Sequence, residues 1–214
     1  MLLKKLFLSF IFVCFISCFS YKANASQHAK MASQFLDDGL KISENDKLTK
    51  KQKLQKLVDN YANSMNLAWN AKMALGRPYQ QLNKQEQQEY IKEYSKYILY
   101  VWIPTFNFNR KTGVKLTVLD KTEKINDTDE NVKIVIEDPN SSKYDVIVRT
   151  RITKDNKFQL LDFTIEGINL STSYRAQFTS YMEKHDNDPH SIIEYLRNQN
   201  QHQKSKSLFN VNID

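Results

Sequence analysis

The apolar residues of this chain change their period twice, and that change restricts the fold more than any other feature. Between Asn83 and Pro104 they recur at helical spacing: Tyr90, Ile91, Tyr94, Ile98, Val101 and Trp102 form one continuous stripe. Asn83-Lys84-Gln85-Glu86 opens that helix as a capping box, with Asn in place of Ser or Thr, and Pro104 closes it. After Pro104 the period becomes two. Val114, Leu116 and Val118 alternate, as do Val132, Ile134 and Ile136, and then Tyr144, Val146, Val148, Thr150 and Ile152. A fourth strand, Phe158 to Ile165, sends Leu161, Phe163 and Ile165 one way and Asp162, Thr164 and Glu166 the other. Asp138-Pro139-Asn140-Ser141 and Asp155-Asn156-Lys157 are turn clusters, and Thr122 to Glu130 reads as a polar loop. Gly167 breaks the fourth strand, with Ile168 and Leu170 in the turn beyond it. Ser171, Thr172 and Ser173 offer N-caps for a helix that shows Tyr174, Phe178, Tyr181 and Met182 on one face.

Helices precede this block and follow it. Ser26 to Leu40 reads as a helix with Met31, Phe35 and Leu36 on one side and Gly39 near its end. Thr49 caps a second, carrying Leu54, Leu57, Val58, Tyr61 and Met65 above a lysine-rich outer face. Its pattern continues to Leu75, with a break near Asn63 to Asn66, and Gly76 and Pro78 end it. Asp188 and Pro189 start a last helix with Ile192, Ile193 and Leu196, and the polar stretch from Asn198 to Ser207 reads as frayed. The fold class is therefore α+β: N-terminal helices and one long amphipathic helix on an antiparallel four-stranded meander, then two C-terminal helices. Incomplete cover of the sheet leaves an apolar pocket between the layers.

The first residues belong to a different element. Lys4 and Lys5 precede an uncharged apolar run from Leu6 to Phe19, too short to span a bilayer comfortably, and Ala23-Asn24-Ala25 is a small-x-small cleavage pattern. Residues 1–25 read as a secretory signal peptide, residues 26–199 as one domain, and residues 200–214 as a polar tail. A lipidated Cys18 is the rival route, although Phe15 suits a lipobox poorly. An uncleaved membrane anchor or a buried helix is the remaining one. Cleavage after Ala25 removes both cysteines, Cys14 and Cys18, and with them disulfide, thiol and thiolate-metal chemistry. It also removes Lys4, Lys5 and Lys22, so the formal charge falls from +7 to +4. Such a balance suits an anionic membrane surface better than nucleic acid, which export also disfavours.

Catalytic and cofactor motifs are lacking. His28, His185, His190 and His202 stand near termini or loops at no metal-ligand spacing, and surface positions are their usual fate. The four glycines, Gly39, Gly76, Gly113 and Gly167, are scattered and build no phosphate-cradling loop. No Gly-x-Ser-x-Gly elbow occurs. No catalytic residue, metal ligand or cofactor is assigned, and an enzyme would need a carboxylate pair assembled by folding.

Ala74-Leu75-Gly76-Arg77-Pro78-Tyr79 resembles the Ala-Leu-Gly-x-x-aromatic segment of the MlaC, or toluene-tolerance, family. The likeness continues through Gln85, Glu89, Tyr90, Tyr94 and Tyr100 and through Phe158 to Asp162. It is sharpest at Glu166-Gly167-Ile168-Asn169-Leu170, Tyr174-Arg175 and Phe178, and it ends near Ile192, Ile193 and Leu196. Tyr79 and Phe158 stand where the family commonly has Trp. The resemblance implies a periplasmic phospholipid carrier, most simply monomeric and without a cofactor, that touches membranes transiently. Its implied partners are an inner-membrane Mla-type ABC transporter complex and an outer-membrane lipoprotein–porin complex. It also implies tails held between sheet and helices, and the candidates are Tyr94, Ile98 and Trp102 on the long helix, Val146, Val148, Phe163 and Ile165 on the sheet, and Ile168 at the junction. For each of these ordinary core packing is the plain alternative, and an exported adaptor with a solid core is the alternative for the whole. Arg175 reads either as a headgroup or partner contact or as half of a surface ion pair.

Cleavage predicts an exported chain whose N-terminal sequencing begins at Ser26; a start at lipidated Cys18 would instead make the protein membrane-tethered.

Overall fold

The computed structural model describes residues 25–103 and 112–206; the leader through Asn24, the Pro104 stop and the chain from Ser207 onward lie outside the described residues. Helix α1 spans Gln27–Glu44, α2 Lys50–Ser64 and α3 Leu67–Leu75; a 3-10 turn at Arg77–Gln81 leads to α4, Lys84–Trp102. Strands β1 (Lys115–Val118), β2 (Glu123–Lys124), β3 (Asp129–Glu137), β4 (Lys143–Ile152), β5 (Phe158–Ile165) and β6 (Ile168–Asn169) follow, then α5 (Leu170–Met182) and α6 (His190–Lys206).

Side-chain caps set most of the helix starts. Thr49 and Gln52 close a reciprocal capping box on α2, as Asn83 and Glu86 do on α4. Asn66 accepts from the Trp69 amide at 2.9 Å, which starts α3 where the long helical pattern breaks. α1 runs past Gly39, because Leu40 and Ser43 continue its buried stripe and that burial outweighs one glycine, worth about 1 kcal/mol in a helix interior. α6 continues past Asn198 rather than fraying there. Asn200 reaches α4 and donates to the Glu93 carbonyl and carboxylate at 3.0 and 2.8 Å.

The sheet is antiparallel in the order β1-β3-β4-β5-β6, with β2 also paired to β3. Two short strands thus extend the four-stranded meander. β2 and the first residues of β3 occupy what reads as the Thr122–Glu130 loop. β6 exists because Glu166 and Gly167 both have positive φ, 48° and 79°, which makes a tight two-residue hairpin. Asn169, and none of the three hydroxyl residues after it, caps α5 by accepting from the Thr172 amide at 2.9 Å.

One face of the sheet is apolar in register: Val118 opposes Ile134, Ile134 opposes Val146, and Val146 opposes Ile165. The other face is polar, as expected of an antiparallel sheet covered on one side. A bulge lies between Arg149 and Thr150 on β4, where Leu160 and not Leu161 pairs with Thr150. The alternation along β5 therefore shifts by one residue, and Leu160 joins Phe163 and Ile165 on the inner side.

Helix α4 belongs to two cores. Leu99, Tyr100 and Ile103 pack with α1, α2 and the sheet, while Tyr90, Tyr94, Tyr97 and Ile98 pack among α3, α5 and α6. The Arg175 guanidinium donates to the Met73 carbonyl, with Nε at 2.9 Å, and closes the end of α3 rather than forming a surface ion pair. It passes over Gly76, whose φ is 71° and where a Cβ would stand 3.2 Å from Arg175 Nε. His28 is buried rather than on the surface. Its Nδ1 lies 2.7 Å from Thr150 Oγ1, and burial pulls its pKa below the ordinary value against the opposing charge of Glu130.

Asp129 is fully buried and is gripped by Arg149 and Arg151, with N–O distances of 2.9 and 2.7 Å. Burial pushes its carboxyl up, but hydrogen bonds from Arg151, then Arg149 and Thr128, outweigh this and hold it well below the usual range. A depressed folded pKa stabilises the fold above the unfolded value of about 4, and that stability is lost as the pH falls below it. Asp129→Asn should therefore cost about 3 kcal/mol in urea unfolding at pH 7, and the variant should lose less stability than the wild type between pH 5 and pH 3.

Candidate functional site

The inner face of the sheet and the helices do not close completely. A cavity of about 320 Å³ lies between them, within the range of small-molecule sites. Its sheet wall includes Val146, Val148, Leu160, Phe163 and Ile165, extended on the β1–β3 side by Leu116, Ile134 and Ile136. Ala32, Phe35 and Leu36 of α1, Tyr61 of α2 and Trp102 at the end of α4 form its helical wall. The wall is apolar apart from one end, where Asp138 and Tyr144 meet it. The Asp138 carboxylate is already engaged by its own turn and accepts from the amides of Asn140 and Ser142 at 2.8 and 2.9 Å. A lining of this kind can hold hydrocarbon. It offers no aligned acid and base, and no cluster of three or more metal-ligating side chains occurs among the described residues.

A second space adjoins the first. Trp102, Phe163 and Ile165 also line an open groove of about 580 Å³ that runs along Ile168 and Leu170 to Ser173, Tyr174 and Gln177. The Trp102 indole N–H donates to the Tyr174 hydroxyl at 3.0 Å. A polar pocket of about 250 Å³ lies elsewhere, between Asn131, Ile147, Arg149, Asp162 and Asn169. Its Arg149 is committed to Asp129 and lies 5.4 Å from the centre of the Trp69 ring.

The candidate residues thus fall into distinct places. Trp102, Val146, Val148, Phe163 and Ile165 line the cavity. Ile168 is 68 % exposed and lines only the outer groove. Ile98 borders only a void of about 10 Å³ beside the cavity, scarcely room for one water. Tyr94 lies outside all these spaces. It is fully buried in the helical core, where its hydroxyl donates to Asn70 Oδ1 at 2.5 Å. Burial and the neighbouring tyrosines push its phenol well above the ordinary range and keep it neutral.

The long helix therefore does not face the cavity along its length. Its middle is enclosed by α3, α5 and α6, and α1 and α2 supply the cover instead. Phe35, Leu36, Tyr61, Leu116, Ile134 and Ile136 all sit on apolar stripes visible in the sequence. Which helix stripe faces which strand is set by tertiary packing and leaves no local signal.

The family model described as MlaC protein matches residues 30–198. Comparison with curated proteins gives no match. Among solved structures, a phospholipid-binding protein from Ralstonia solanacearum, in complex with a phospholipid, superposes with a TM-score of 0.70 at 17 % identity, over 84 % of this chain and 99 % of that one. At that identity the likeness shows the fold.

Tyr94→Phe separates core from cavity. It leaves Asn70 Oδ1 buried without its donor, so chemical denaturation should show a loss of about 1–3 kcal/mol with the cavity wall intact.

Proposed function

Since the chain belongs to the MlaC family, we propose that it is an exported phospholipid carrier that holds acyl chain between its sheet and α1, α2 and the end of α4. The cavity of about 320 Å³ and its apolar wall carry this reading; an adaptor with a solid core has no use for such a space. Trp102, Val146, Val148, Phe163 and Ile165 are the proposed tail contacts within it. Phospholipid binding by the similar Ralstonia protein adds support.

The physical need for a carrier is large. Two acyl chains hold about thirty methylenes, and exposing each to water costs about 0.8 kcal/mol, so a bare lipid crosses an aqueous gap at a cost above about 20 kcal/mol. A dry protein cavity removes most of that cost, as a bilayer does. Transfer between the two then lies near balance, and its direction is set by the partners. In this reading the chain moves through the periplasm between an inner-membrane Mla-type ABC complex and an outer-membrane lipoprotein–porin complex. It is monomeric in transit and touches each membrane briefly.

The test is mass spectrometry of an organic extract of the purified protein, which should contain phospholipid at a substantial fraction of one per chain. Val146→Trp places a large ring in the cavity and should reduce uptake from labelled vesicles at least about tenfold, with little change in melting because the ring fills open space. A clean extract together with no uptake by the wild type would overturn the reading.

A further inference from the structure

The enclosed cavity is too small for two acyl chains. A methylene takes up about as much room as a water molecule, roughly 30 Å³, so a space of about 320 Å³ accepts on the order of ten methylenes. A two-chain lipid carries about thirty, most of which must be kept from water. The neighbouring groove, at about 580 Å³, is the larger of the two spaces. The two share Trp102, Phe163 and Ile165, so an occupant of one stands against the same side chains as an occupant of the other.

The groove is built for a chain with a polar end. Leu170 and Ile168 continue the apolar wall outward from Ile165, which pairs directly with Ile168 across the tight turn. Ile168 is the most exposed of the large hydrophobic residues and is held open to solvent by a two-residue hairpin. Ser173, Gln177 and Tyr174 bring hydroxyl and amide groups to the same groove. The Trp102 ring is fixed by its hydrogen bond to Tyr174, and its apolar surface contributes to both spaces.

We infer that this groove is a second acyl-chain site. A two-chain phospholipid straddles Trp102, with one chain in the enclosed cavity and the other along Ile168 and Leu170, and its ester region lies at Ser173 and Gln177. The inference rests on the lipid-carrier reading and adds a specificity to it: the groove distinguishes two-chain from one-chain lipids.

The experiment compares dioleoyl phosphatidylglycerol with monooleoyl lysophosphatidylglycerol, by equilibrium competition on the full mature chain, for the wild type and Ile168→Glu. A carboxylate in the groove must be desolvated against the second chain, so the variant should bind the two-chain lipid at least about tenfold more weakly. Its affinity for the one-chain lipid should stay within about twofold, because the cavity is untouched. Melting should be unchanged, since Ile168 is exposed. Ile168→Ser should show the same order of effects to a smaller extent. Equal loss of both lipids, or loss of neither, overturns the second site while the carrier reading stands. Failure of the wild type to bind either lipid overturns the carrier reading itself.

Discussion

One buried amide holds the architecture together. Asn70 of α3 is wholly inaccessible to solvent; its Nδ2 donates to the Leu161 carbonyl of β5 at 3.1 Å and to the Ser171 hydroxyl of α5 at 2.9 Å, and its Oδ1 receives the Tyr94 hydroxyl of α4. Four elements thus meet at a single side chain. Asp162 reinforces the same junction by accepting from the Ser171 amide at 3.3 Å and the Asn169 side chain at 3.0 Å. Buried polar groups of this kind are costly unless all are paired, so their pairing allows one arrangement of strand and helix and disfavours the neighbouring ones. The hand-over from β5 to α5 is fixed here, and with it the angle between the helical core and the sheet.

Much of this fold is written locally. The capping boxes at Thr49 and Asn83, the break at Met65–Asn66 and the alternation on β3 and β4 follow from propensity and period alone. The departures have physical causes. A bulge shifted β5 by one residue, two positive φ angles turned a supposed break at Gly167 into a hairpin, and burial of Leu40 and Ser43 carried α1 past its glycine. The cavity was half legible. Its sheet wall could be read from Val146, Val148, Phe163 and Ile165, because alternation assigns faces. Its helical wall could not, because an amphipathic stripe says that it is buried without saying against what. Tyr94 and Phe35 look alike in sequence, and only packing sends one to the helical core and the other to the cavity.

The segments that carry the family likeness turn out to touch one another. Gly76, at the end of α3, lies under the Arg175 guanidinium of α5, and Ala74 and Leu75 pack with Tyr174 and Phe178. The positive φ at Gly76 and the close guanidinium explain why no larger residue suits that place. These motifs maintain the docking of α3 on α5. They stand apart from the cavity wall, which is made by residues that no short motif marks.

That separation matters for a protein whose layers enclose a void. Left without an occupant, a cavity of about 320 Å³ costs on the order of 8 kcal/mol at about 24 cal/mol per Å³, comparable to the whole net stability of a domain. A molecule with only one core would relieve that strain by collapsing. Here the helical half, closed around Asn70 and Tyr94, stays intact whatever fills the other half. The cargo then acts as a removable portion of the sheet-side core, and the helical half keeps the shape to which the next cargo returns.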